Sequence, residues 1–438
     1  MGESRQDGLW HQMKVDDSGI YIGWARIITS HYDIHSLRSI QEFARRVDLV
    51  VWGREINPKN FLLTPTERQV LIDAIGIMRK SHMGQFRKSG FYNQLSWLST
   101  EVKRPYSTHV EGVTEIFANF FRELEIPREY LLPTIVLALF HDGVEDASIE
   151  MQAEIVTFLR ANFPLLYPEM VESLFALSHL SDEKYAESSK TFGISWLQNA
   201  NTIEENRIKS HIIARQIHDE VLSFSEKLID SWRKWIGIQH TLPFRAPKDK
   251  ELPWNIARKM WEEWSVVYQL NHEFGFDIRR IRLLYRFVMH SYYVWWKIHS
   301  MPNSIVWQEE FIQRVTGDLA SMIQVSLYSV LRKPEMNDDI IGTIRNMTLP
   351  EYSVLAIKLP DQIYNAWDNM YLSKMTPGEK RDKSLLKTLL ISLRARFYQE
   401  LLTQSIGGQN SPLHQLMRTV TERLDHVILM PLATSFQG

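Results

Sequence analysis

The chain has 438 residues, of which 44% are hydrophobic and 23% charged, with a formal net charge of -2 and no cysteine. That is enough apolar sequence for two or three domains with full cores, and too little net charge for the molecule as a whole to act as a polyanion binder. The absence of thiols excludes disulfides, thiolate-held iron–sulfur clusters and cysteine-based zinc sites.

The opening MGESRQDGLW has no positive start or apolar core of a signal peptide, and Gln6 stands where a myristoylation signal wants Ser or Thr. With no run of ~18 apolar residues to span a membrane, a cytosolic protein is expected. Residues 1–60 read as an N-terminal extension. Within it, IYIGWARIITS at 20–30 suits either a short strand or a buried helix. His31 and His35 flank Asp33 at helical spacing, a pattern more common as surface decoration than as a metal site.

From there most of the chain has helical periodicity, and an all-α fold is expected. Thr64-Pro65-Thr66-Glu67 is a helix start: Thr64 caps, Pro65 suits the first position, and Glu67 completes a capping box. The apolar run LLPTIVLALF leads into His141-Asp142-Gly143-Val144-Glu145-Asp146. On a helix, residues four apart share a face, which would put His141 with Glu145 and Asp142 with Asp146. So much acid beside an imidazole at the end of an apolar run is costly without a neutralising cation. A divalent metal is the simplest solution, although an isolated His-Asp pair is more often a solvated helix end. Breaks fall at Ser181-Asp182, at 242–253 (LPFRAPKDKELP) and at 332–339 (RKPEMNDD); Thr376-Pro377-Gly378-Glu379 marks another helix start, and SIGGQNSPLH from 405 a loop.

The order of four blocks carries more than any one of them. Gly84-Gln85-Phe86-Arg87-Lys88-Ser89-Gly90 comes first, then Pro105-Tyr106-Ser107-Thr108-His109, then the His-Asp block. Last comes Ile357-Lys358-Leu359-Pro360-Asp361-Gln362-Ile363-Tyr364-Asn365. Together they resemble the hydrolase half of the RelA/SpoT family, with its GQ.RKSG, PY..HP, HD..ED and KLADR.HN. LFALSHL at 174–180 resembles that family's VTKL segment, and MTPGEKRDKSLLK resembles the helix start after its last Asp.

The resemblance implies an HD-domain helical bundle in two parts, 61–183 and 346–402, interrupted by a large, mainly helical insertion at 184–345 and followed by a tail at 403–438. It implies His109, His141, Asp142 and Asp361 as ligands of Mn2+ or another divalent metal. Glu145 and Asp146 would be the catalytic acids, and Arg87, Lys88, Ser89 and Asn365 the substrate-binding residues. The implied activity is hydrolysis of the 3′-pyrophosphate of (p)ppGpp to GDP or GTP and pyrophosphate, with a guanine nucleotide as ligand. Another phosphate ester, or nucleotide sensing without turnover, are the alternatives. No synthetase half is recognisable.

The sequence departs from the family at several points. Thirteen residues, FYNQLSWLSTEVK, separate Gly90 from Arg104; Val110 replaces a Pro; Pro360 and Gln362 replace Ala and Arg; Tyr364 replaces a His. The insertion is the largest departure. Since Asp361 must return to the metal, its ends are expected to lie close together. It holds nine of the 14 Trp, and its segment DIRRIRLLYRFVMHSYYVWWKIHS combines Arg279, Arg280, Arg282 and Arg286 with Tyr285, Tyr292, Trp295 and Trp296. A buried aromatic face with a basic rim is the plainest reading. A protein-partner surface or lid comes next; nucleic-acid or membrane-surface contact is not expected.

Overall fold

The computed structural model describes residues 14–16, 19–21, 39–41, 43–44, 47, 63–86, 105–124, 128–223, 272, 280–281, 283–284, 287–288, 291, 305–328, 348–375 and 379–405. Helices dominate these residues, as expected. The one sheet among them is a small antiparallel pair, β1 (Lys14–Asp16) and β2 (Gly19–Tyr21). It settles the start of the ambiguous 20–30 stretch as strand; the rest of that stretch, with His31 and His35, lies outside the described residues.

The bundle begins with α1 (Pro65–Ser81), whose start is the one the sequence announces. Thr64 Oγ1 accepts from Glu67 N–H, and Glu67 Oε2 accepts from Thr64 N–H at 2.7 Å. This reciprocal cap satisfies two otherwise orphaned amides, an arrangement worth roughly 1 kcal/mol. At the other end Gly84 takes φ 78°, a left-handed turn that glycine enters without steric cost. The turn brings Gln85 beside the next motif, where its carbonyl accepts from Tyr106 N–H at 3.0 Å and Phe86 bridges Pro105. The excursion between these blocks therefore leaves and returns at one place.

α2 (Ser107–Leu124) and α3 (Arg128–Phe140) pack against each other, and α3 lies against α1. A buried ion pair, Arg79 Nε to Glu111 Oε1 at 2.7 Å, ties α1 to α2. After α3 come α4 (Ile149–Asn162), α5 (Tyr167–Leu177) and α6 (Asp182–Phe192). Ser148 caps α4 and Ser181 caps α6, each through its side-chain oxygen. A 3-10 turn at Ile194–Trp196 leads to α7 (Ala200–Ser223). Beyond it stand α8 (Ile305–Leu327), α9 (Leu349–Met375) and α10 (Glu379–Ser405).

α9 is the hub of the bundle, packing against α2, α3, α5, α8 and α10. Its first half is buried nearly all round, with Leu349, Tyr352, Val354, Ile357 and Leu359 in the core. Three bonds set its register on α5: Leu349 N–H to Glu169 Oε2 at 2.9 Å, Ser353 Oγ with Ser173 Oγ at 3.1 Å, and Lys358 Nζ to Leu177 O at 2.9 Å. Both chains advance in the same direction along these pairs, so the two helices run parallel. Asp361 thereby arrives where α5 ends.

Within the 184–345 stretch, α7 and α8 pack against each other, and α8 also contacts α5, α9 and α10. The described helices of the excursion thus pack against the bundle, and the chain rejoins it with Leu349 beside Glu169 of α5. Of its basic aromatic segment, Arg280, Ile281, Leu283, Leu284, Phe287, Val288 and Ser291 are helical and buried. The spacing of three and four marks one inward face. Arg279, Arg282, Tyr285, Arg286, Tyr292, Trp295 and Trp296 lie outside the described residues.

Gly112 on α2 marks the closest approach of α9: a Cβ there would overlap the Tyr364 ring. Overpacking of this kind costs ~1–3 kcal/mol. Gly112→Ala should lower thermal stability by about that amount in the wild-type chain and by much less in a Tyr364→Ala background. Equal losses in the two backgrounds would show that the contact does not limit α2–α9 packing.

Candidate metal centre

His109 comes from α2, His141 and Asp142 from the turn after α3, and Asp361 from α9. The block 141–146 is not the regular helix expected of it. α3 ends at Phe140, and Gly143 N–H bonds back to Phe140 O at 2.7 Å, a tighter, three-residue step. Neighbours on a regular helix diverge by ~100°, which would point His141 and Asp142 apart. The turn lets both face one centre, while Asp146 N–H still reaches Asp142 O at 2.8 Å.

His109 Nε2 lies 3.4 Å from Asp142 Oδ2 and 3.4 Å from Asp361 Oδ1; His141 Nε2 lies 3.2 and 3.9 Å from the same two oxygens. Nitrogen and oxygen ligands stand about 2.1 Å from a first-row divalent ion, which puts adjacent ligands about 3.0–3.4 Å apart. Three of the four observed edges fall in that range, and the fourth, His141 to Asp361, is longer at 3.9 Å. His109, His141 and Asp361 form a buried group, all three ligand atoms within 4.8 Å of one another. Asp142 sits at its rim, close to both rings. His141 Nε2 is buried and makes no hydrogen bond; it faces the Asp142 carboxylate at 3.2 Å, a position a cation could share with it. These residues fit a divalent cation.

Each ligand is held from behind. His141 Nδ1 donates to Ala138 O at 2.8 Å, which fixes Nε2 as the free atom. Tyr106 Oη donates to Asp142 Oδ2 at 2.9 Å, and His82 stacks on the Tyr106 ring with centroids 4.8 Å apart. Asp361 Oδ1 accepts from Asn365 Nδ2 at 2.6 Å; its Oδ2 accepts from Gln362 Nε2 at 2.8 Å and lies 3.1 Å from Lys358 Nζ. The Tyr364 ring meets His109 edge-on at 5.0 Å.

Electrostatics follow from this packing. Burial disfavours the charge on His141, but Asp142 and then Asp361 outweigh it and hold the imidazolium up to about 9. Burial also opposes charge on Asp361, yet Lys358 and the histidines keep its carboxyl well below the usual range. Lys358, buried beside Asp361, is pushed up to about 12 against its own desolvation. Glu145 behaves oppositely. Burial raises it to about 7, Asp142 adds to the rise, and Lys358 and the His179 N–H, 3.1 Å from Oε2, only partly offset it.

The centre opens into a cleft of about 330 Å³. Glu145, Asp146 and Asn365 line it, and Asn365 also holds Asp361. Arg87, Lys88 and Ser89 lie outside the described residues. The cleft also takes residues the sequence did not single out: Lys358, His179, Arg394, and the α8 residues Arg314, Gly317 and Asp318. Lys358 was within reach, since it stands three residues before Asp361 on the same helical face. The α8 residues carry no sequence signal of their own.

No helix among the described residues is long and apolar enough to cross a membrane. No family model, curated protein or solved structure matches the chain.

A metal must displace the proton that the carboxylates hold on His141. Affinity for Mn2+ should therefore rise with pH through the neutral range, by roughly tenfold per pH unit for one released proton, and level off near the imidazolium value of about 9. His141→Ala should abolish stoichiometric binding. Calorimetric titrations at several pH values check this, and a pH-independent affinity would contradict a protonated, metal-free His141.

Proposed function

We propose that the protein is a metal-dependent phosphohydrolase of the HD type, related to the hydrolase half of RelA/SpoT enzymes, and that it removes the 3′-pyrophosphate of (p)ppGpp. The observation that carries this reading is the convergence of His109, His141, Asp142 and Asp361 on one buried point across 252 residues of sequence, with Glu145 beside it. Three of the sequence blocks that resemble that family supply the group, and Gln85 of the fourth lies beside them, bonded to Asp146 O and Tyr106 N–H, which supports the reading.

Bound at this centre, a divalent ion would neutralise phosphate charge and acidify water near it. The chain's own groups supply the rest. Glu145, near neutrality and at the cleft wall, is suited to take a proton from the attacking water or to give one to the departing oxygen. The backbone N–H of His179 fixes which carboxyl oxygen is engaged, leaving Oε1 for that exchange. Asp146 lies one residue on, also in the cleft. Hydrolysis joins a water oxygen to phosphorus and breaks the bond to the 3′ oxygen, which leaves with a proton. The products are GDP or GTP and pyrophosphate.

A second reading keeps the chemistry and changes the substrate. It is motivated by α8, which builds one wall of the cleft from outside the resembling segments. A nucleotide or other phosphate ester would then occupy the same centre.

Purified protein with Mn2+ and ppGpp should release GDP and pyrophosphate, and Asp142→Ala should not. Glu145→Gln should keep its metal but lose about 10²–10⁴-fold in turnover, the usual contribution of a positioned acid–base group. Wild-type protein that holds metal yet leaves ppGpp intact would move the search to a panel of other phosphate esters. Turnover unaffected by Asp142→Ala would place the reaction elsewhere.

A further inference from the structure

The wall of the cleft facing the metal ligands is basic. α8 presents Arg314, Gly317, Asp318 and Ser321 to it, positions three, four and seven apart and so one stripe of the helix. The intervening Val315, Leu319, Ala320, Met322 and Ile323 are buried in the core, so the stripe is the helix's polar side turned inward rather than a solvated surface. Gly317 lets this side come close: a Cβ there would stand 3.2 Å from His179 Nε2. α10 adds Arg394, whose Nη1 pairs with Asp318 Oδ1 at 2.8 Å.

The acids of the cleft, Asp142, Glu145, Asp146 and Asp361, lie on the metal side, and on the α8 wall itself the charges do not balance. Lys358 is committed to Asp361 and to the Leu177 carbonyl. Arg394 has Asp318, and both side chains are nearly buried. Arg314 forms no ion pair or hydrogen bond among the described residues, and the Nε atoms of both arginines are buried without partners. Burial weakens its hold on the proton; Asp318 offsets part of that, and Arg394 adds a smaller push in the same direction as burial. Two guanidiniums against one carboxylate leave a positive wall, and an unmatched cation in such a place is costly until an anion meets it.

We infer that Arg314 and Arg394 form an anion subsite for a second phosphate group of the substrate, and that the natural substrate therefore carries at least two separate phosphoryl groups. The inference rests on the phosphohydrolase reading for what happens at the metal end, but the subsite binds without it. A guanidinium offers phosphate two parallel donors, and a cleft of about 330 Å³ admits a small phosphorylated molecule rather than a folded partner. One phosphoryl group at the metal and another at the arginines would fix the substrate at both ends. Esters with a single phosphate would bind only one of them.

Inorganic pyrophosphate, titrated calorimetrically into the metal-free full-length protein, tests the subsite. The wild type should bind it, and Arg314→Gln should weaken binding at least tenfold, the scale of lost charge-assisted hydrogen bonds. Gln313→Glu, at the exposed mouth of the cleft, should weaken it severalfold and is no threat to folding; it decides the matter if Arg314→Gln melts early. Absence of pyrophosphate binding by the wild type, or affinities unchanged in both variants, overturns the subsite. Mn2+ titrated separately into the same metal-free preparations separates the two readings. Stoichiometric metal with Arg314-independent pyrophosphate binding removes the subsite alone, whereas Arg314-dependent binding in a chain that takes up no metal upholds the subsite and removes the hydrolase reading.

Discussion

Two histidines and two aspartates share a largely buried point at the edge of the cleft, and the bundle is arranged around satisfying them. Leaving one such charge unmatched inside a protein costs about 3–5 kcal/mol, so the compensation is not optional. Without a cation, it is shared between the imidazolium of His141 and the ammonium of Lys358. Lys358 reaches Asp361 only because α9 lies parallel to α5 with Leu349, Ser353 and Lys358 engaged in turn. A one-residue slip of α9 would turn each of these side chains by ~100° and carry Asp361 away from both histidines. The register bonds and the buried charges therefore stabilise one another.

The groups behind the ligands divide the work of orientation. Ala138 O selects the tautomer of His141; Tyr106 holds Asp142 from outside the group; Asn365 and Gln362 grip the two oxygens of Asp361 separately. Tyr106 is itself stacked on His82, which bonds to Gln85, which reaches Asp146 O. The turn closing α1 is in this way connected to both the metal side and the acid side of the cleft. A change at Gln85 or His82 acts on the centre through geometry rather than through contact with any reacting atom.

The parts of this arrangement legible in the sequence are those encoded by short-range patterns. Thr64 and Glu67 announce a capping box because the reciprocal bonds need those two residue types three apart. His109, His141, Asp142 and Asp361 could be named because each sits in a compact block with a recognisable neighbourhood. The conformation of 141–146 was not legible: the apolar run before it is helical, and that the helix gives way after Phe140 to a turn closed by Gly143 N–H on Phe140 O has no marker in that pattern. Nor was the α8 wall. Arg314 and Asp318 look like any pair four apart on a helix, and their role depends on where a stretch more than a hundred residues after the His-Asp block docks. Such long-range placement is fixed by packing of Val315, Leu319 and Ile323, which apolar periodicity announces without saying against what.

That placement separates two properties along the chain. The ligands and Glu145 come from segments on either side of the interval from Leu180 to Thr348. The opposite wall comes from α8, inside that interval, and from α10 after it. A change in α8 can therefore alter which anion the cleft accepts without touching a metal ligand. The converse does not hold. Any change that shifts α9 moves Asp361 and Lys358, and because α9 also packs against α8 and α10, it disturbs the basic wall as well. Selectivity can vary on a fixed centre, but the centre cannot move without taking selectivity with it.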